Sequence, residues 1–177
     1  AVVRESDLLD ALDRMYRRSD ELTSLAGELH EDLTQGDFDL GKLMQTVEAG
    51  DAPVIRLLLT LFEDAIQAKA SDIHIEPDEE VLRIRQRIDG VLHEHVMNER
   101  RIAPALVQRL KLLASLDISE KRLPQDGRFQ ITVKKHSIDV RLSTMPVQHG
   151  EAVVMRLLDQ SSGILSLSDL GIQDEML

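Results

Sequence analysis

Between Ile138 and Leu158 apolar and polar residues alternate twice. Ile138, Val140 and Leu142 interleave with Asp139, Arg141 and Ser143; beyond Pro146 and Gly150, Val153, Met155 and Leu157 interleave with Val154, Arg156 and Leu158. A period of two flanked by turn residues predicts a β-hairpin. If both apolar sets face one core, the numbers of paired positions must have an odd sum, because a one-residue slip turns a strand inside out. The centred register of that kind sets Arg141 opposite Arg156.

Two cations facing each other on adjacent strands repel, at a cost of about 0.2–1 kcal/mol. An anion between the two guanidinium forks would offset that cost, since arginine suits bidentate contact with phosphate oxygens. The competing reading is neutralisation on a solvated face by Asp139, Glu151 or Asp159; a register shifted by two residues would make the arginines diagonal neighbours.

The rest of the pattern supplies partners for this hairpin. Asp51 and Pro53 start a helix with Val54, Leu57, Leu58, Leu61, Phe62, Ala65 and Ile66 on one face, running to about Ala70. SDIHIEP follows as a short strand ending at Pro77, with Asp78 to Glu80 as the turn. VLRIRQRIDGVLHEHV reads as a hairpin about Asp89-Gly90, a dipeptide that accepts the positive φ of a type I′ turn. Pairing across a two-residue loop puts Arg83, Arg85 and Arg87 on the face of Leu92, Glu94 and Val96. This arginine stripe is a candidate partner interface or, in the plainer reading, a solvated face partly neutralised by Glu94. Arg101 to Leu116 reads as a second amphipathic helix, PQDG as a tight turn, and Phe129, Ile131 and Val133 as a strand that Lys134-Lys135 turns into the Arg141 strand.

Helix, strand, hairpin, helix and three-stranded hairpin predict an α+β fold: an antiparallel-rich sheet covered by helices on one side. Residues 1–19 read as the tail of a preceding domain, a strand remnant at Ala1 to Val3 and a helix capped by Ser6. Residues 20–50 are acidic with scattered glycines and read as a linker with some helix, residues 51–160 as the main domain, and 161–177 as a further linker with a helix start at Ser168. The opening inside a strand reads as an excised piece of a longer protein.

Charge and composition narrow the partners. A formal charge of -11, three Phe, one Tyr and no Trp give neither a basic footprint nor stacking platforms, so nucleic acid is not an expected partner. Without cysteine there is no disulfide framework or thiolate zinc site, which suits a cytoplasmic setting. No metal site is expected: His74, His93 and His95 lack a carboxylate-histidine ligand pattern. The GxxxxGK(S/T), HExxH and GxSxG signatures are absent as well.

SDIHIEP, RQRIDGVL, LDISEKRLPQDGR, DVRLSTMP and HGEAVVMRLLD occur in order and at compatible spacings. Through them, residues from about Asp51 to Ile172 resemble the second N-terminal domain of the secretion and pilus-assembly ATPases of the GspE and PilB group. IRQRIDGVLHEH and STMPVQHGEAVVMRLLDQ are most similar to the mannose-sensitive haemagglutinin (MSHA) pilus branch. The resemblance implies a PAS-like sandwich tied by a flexible linker to a RecA-like ATPase domain carrying the P-loop, within a cytoplasmic homo-hexamer that works on an inner-membrane platform protein. SLSDLGI looks like the approach to that ATPase domain, and cyclic di-GMP would bind only through a domain further upstream. ATP and Mg would serve the full-length protein, with no nucleotide expected on this piece alone.

Family arginines that reach the phosphates of ATP fall, by motif, on Arg141 in DVRLS and Arg156 in VMRLL. The resemblance thus implies a domain that moves with the nucleotide cycle. The alternatives are a ligand sensor with a PAS-like pocket, or an interaction module using Arg83, Arg85 and Arg87 with the acidic linker. One departure is Lys69, where family members often carry glycine; it puts the ending of the first helix in doubt.

Overall fold

The computed structural model describes residues 21–31, 53–133 and 136–159. The expectations placed on residues 1–19, on the linker at residues 20 and 32–50, on the helix start at Asp51, on Lys134-Lys135 and on the stretch from Gln160 onward lie outside them. A first helix, α1, covers residues 21–31. Leu22, Leu25, Ala26 and Leu29 on its inner face are buried in the same core as the rest of the fold, and Glu28 accepts a hydrogen bond from Arg56 at 3.1 Å. This part of the acidic stretch therefore packs against the fold, because its apolar residues recur at i, i+3, i+4 and i+7.

Helix α2, Pro53–Gln67, buries Val54, Leu57, Leu58, Leu61, Phe62 and Ala65, the face its periodicity assigns. Its ending resolves the question raised by Lys69. Lys69 takes φ 54, the Ala70 amide donates to the Ala65 carbonyl at 2.8 Å, and the Lys69 amide donates to Ile66 at 3.1 Å. These are the two reverse bonds of a left-handed helix stop, a place where glycine is free of strain and lysine is not. Helix α3, Ala103–Leu113, follows a 3-10 turn at Arg100–Ile102 and stops in the same way, with Ser115 at φ 55.

The strands are β1 Asp72–Pro77, β2 Leu82–Ile88, β3 Val91–Met97, β4 Gln125–Val133, β5 His136–Val147 and β6 Gly150–Asp159. They form a six-stranded sheet in the order β3-β2-β1-β6-β5-β4, and every neighbouring pair is antiparallel. Two units, each a helix followed by a three-stranded meander, thus join along β1 and β6. Ile73, Ile75, Leu82, Ile84, Val140, Leu142, Val153 and Met155 face a core shared with α2 and α3. Phe62 of α2 meets Phe129 of β4 edge to face, with centroids 6.2 Å apart. The α+β layering expected from the sequence is present.

Both hairpin readings hold in register. Asp89 and Gly90 have φ 50 and 83, as a type I′ turn requires, and Arg85 pairs with Glu94. In the second hairpin Val147 pairs with Gly150 and Arg141 with Arg156. The tight turn expected at PQDG is not formed, because β4 already begins at Gln125. Gly127 serves a close approach instead: a Cβ there would lie 3.0 Å from the Cβ and carbonyl oxygen of Ala114 and from Leu116.

One buried charge ties the helix of the second unit to its own sheet. Lys111 on α3 is fully buried; its Nζ donates to the Glu120 carbonyl at 2.7 Å and to the carboxylate of Glu151 on β6. Among the described residues no helix is long and apolar enough to cross a membrane.

Candidate functional site

Strand alternation sends Asp72, Arg87, Arg128, Arg141 and Arg156 away from the core, onto the sheet face opposite the helices. Antiparallel registers then align them into one transverse row. Arg87 of β2 pairs with Asp72 of β1, Asp72 with Arg156 of β6, Arg156 with Arg141 of β5, and Arg141 with Arg128 of β4. The row carries four guanidinium groups and a single carboxylate.

Asp72 sits between two of them. It is buried, at 6 % exposed, and accepts from Ser71 Oγ at 2.8 Å and from Arg156 Nε at 3.1 Å, with Arg87 Nε 3.3 Å away. Burial alone would raise its pKa. The hydrogen bonds from Ser71 and Arg156 and the charges of Arg156 and Arg87 outweigh that penalty and hold the carboxyl below its ordinary value.

Arg156 is held through Nε, and its side chain remains 65 % exposed. Arg141 and Arg128 are exposed, and among the described residues neither has a hydrogen-bond or carboxylate partner. Of the carboxylates expected to neutralise the Arg141–Arg156 pair, the two whose side chains are described are engaged elsewhere. Asp139 accepts from Gln130 at 3.2 Å, Glu151 is engaged by Lys111, and the Asp159 side chain lies outside the described residues. Arg156 is instead paired by Asp72, from a strand 84 residues away.

The second arginine stripe is paired throughout. Arg83 donates to Asp78 at 3.1 Å and to Glu94 at 3.0 Å, Arg85 donates to Glu76 and lies 3.6 Å from Glu94, and Arg87 faces Asp72. Arg83, Arg85 and Arg87 therefore present little unbalanced charge, although each stays partly exposed. The strand histidines are divided by parity: His74 shares the arginine face, where it lies 3.5 Å from Glu76, whereas His93 and His95 stand on the opposite face of β3. Among the described residues no cluster of His, Asp or Glu has the arrangement of a metal site.

Sequence reasoning set Arg141 opposite Arg156 but did not place Asp72 and Arg128 in the same row. Arg128 is legible once β4 is extended back through Gly127, since it then shares the parity of Arg141. Asp72 depends on the long-range β1–β6 pairing, which no local pattern specifies.

Residues 47–177 match the sequence family described as Type II/IV secretion system protein. The chain is 51 % identical over 127 residues to the Type II secretion system protein E of Klebsiella pneumoniae, covering 72 % of this chain and 26 % of that protein. It is 46 % identical over 156 residues to the Type II secretion system ATPase E of Vibrio cholerae, covering 87 % and 29 % respectively. A third relative, the Type II secretion system protein HxcR of Pseudomonas aeruginosa, is 43 % identical over 172 residues, covering 88 % and 37 %. The chain thus spans between a quarter and two fifths of the length of these relatives.

Proposed function

The chain belongs to the type II/IV secretion system protein family, and from that premise we propose that its outer sheet face closes on ATP held by a RecA-like domain of the same or a neighbouring subunit. Arg141 and Arg156 would contact the phosphates. The observation that carries this reading is their direct opposition on β5 and β6. Such a like-charge pair costs stability in isolation; Asp72 engages Arg156 through Nε, and a polyphosphate would supply the counter-charge that Arg141 lacks among the described residues. One of the relatives is named an ATPase.

In this account the domain gates nucleotide rather than hydrolysing it. Binding ATP with Mg draws the domains together, the guanidinium groups stabilise charge on the phosphates, and release lets the domains part. Repeated around a cytoplasmic homo-hexamer, that movement would drive an inner-membrane platform protein. The machinery served is a type II secretion system, as the relatives' names have it for those proteins, or the MSHA-type pilus that the IRQRIDGVLHEH and STMPVQHGEAVVMRLLDQ segments resemble. Cyclic di-GMP would act only through an upstream domain.

ATP turnover by the full-length protein tests the proposal. Arg141→Gln and Arg156→Gln should each lower kcat by about 10²-fold or more, in the range found for groups that stabilise transition-state charge. Folding should be intact in both. Near-normal turnover in both variants would remove the reading.

A further inference from the structure

Resting on that reading, we propose that Arg128 is a third phosphate-contacting residue, and that the phosphate chain lies across β4, β5 and β6 rather than over the Arg141–Arg156 pair alone. Neutralisation falls off along the transverse row. At the β2 end Arg87 is balanced by Asp72. Arg156 shares that same carboxylate through Nε. Arg141 and Arg128, next in register, have no carboxylate partner among the described residues. Unbalanced positive charge therefore grows toward the β4 end of the row, and the Arg128–Arg141 pair is its least compensated step.

The surroundings fit an anion there. Arg128 and Arg141 line a groove of about 710 Å³ together with Asp126, Gln130, Asp139 and Leu158. Its two carboxylates are already engaged by other side chains: Asp126 accepts from Ser143 Oγ, and Asp139 accepts from Gln130. They flank the arginine row at the neighbouring positions of β4 and β5 without closing on it. Two strand spacings, roughly 10 Å, separate the backbones of Arg128 and Arg156. Long flexible guanidinium side chains converging from that distance suit a chain of phosphates better than a single one.

The test is carried out on the full-length protein with ATP and ADP as probes, comparing Arg128→Gln, Arg128→Lys and Arg141→Gln. Arg128→Gln is expected to lower kcat/KM for ATP roughly tenfold, the loss of a charge-assisted contact. Arg128→Lys should recover only part of this, because an ammonium cannot make a bidentate fork. ATP affinity should fall more than ADP affinity. The melting temperature should be unchanged or raised, since the substitution removes a like-charge pair. A lowered melting temperature accompanying the lost turnover would overturn the proposal in favour of a structural role. Turnover within twofold of wild type for Arg128→Gln, with Arg141→Gln impaired, would overturn it and leave the two-arginine reading standing. Near-wild-type turnover in Arg128→Gln and Arg141→Gln alike would overturn this inference and count against the reading on which it rests.

Discussion

Asp72 and Arg156, 84 residues apart in sequence, pair across β1 and β6, with the guanidinium Nε donating to the carboxylate at 3.1 Å. The bond holds Arg156 through Nε while most of the side chain remains exposed. Because the Asp72 pKa is depressed below the ordinary 3.8, its contribution to stability is complete above about pH 4 and is lost as pH falls through the folded-state pKa. Asp72→Asn should therefore lower stability at pH 7 and make the acid limb of a stability-pH curve shallower. Urea unfolding at pH 7 and pH 3 reads both effects; an unchanged acid limb would contradict the assignment.

Lys111 is the buried charge on which the α3–β6 contact turns. Truncating it to alanine leaves Glu151 buried without its partner, and loss of one member of such a pair costs about 3–5 kcal/mol. The double variant Lys111→Met, Glu151→Gln should recover part of that loss. Denaturant titration of the three proteins checks the non-additivity.

Gly127 is expected to tolerate no side chain. Its Cβ position is 3.0 Å from the backbone oxygen of Ala114, an atom that cannot rotate away. Gly127→Ala should destabilise by about 1–3 kcal/mol, as overpacking does, and thermal unfolding measures it.

Much of this architecture was legible beforehand, and the exceptions have physical causes. Parity with a centred turn pointed to the opposition of Arg141 and Arg156, and Asp89-Gly90 announced its own turn, because both depend on a single local hairpin. PQDG misled because glycine reports either a turn or a close approach, and only the packing of β4 on Ala114 distinguishes them. The helix at residues 21–31 is too short for its period to stand out among acidic neighbours, and its apolar face becomes meaningful when α2 is placed beside it. Nothing local marks Lys111 as buried, because its partner Glu151 lies 40 residues away.

Lys69 offers a test in the stabilising direction. A non-glycine residue at φ 54 bears the left-handed penalty of about 1–2 kcal/mol, and glycine gives back part of the relief through its freer unfolded state. Lys69→Gly should raise stability by up to about 1 kcal/mol. A lower melting temperature would show that the side chain contributes more than its strain costs.

The central claim is that the outer sheet face meets phosphate. It is tested most directly by a structure of the full-length protein bound to a non-hydrolysable ATP analogue, measuring the distances from Arg141 and Arg156 to the phosphate oxygens. Guanidinium nitrogens should lie about 2.7–3.1 Å from those oxygens, with the sheet face turned toward the nucleotide. Phosphates satisfied elsewhere, with Arg141 and Arg156 facing solvent or another protein surface, would contradict it.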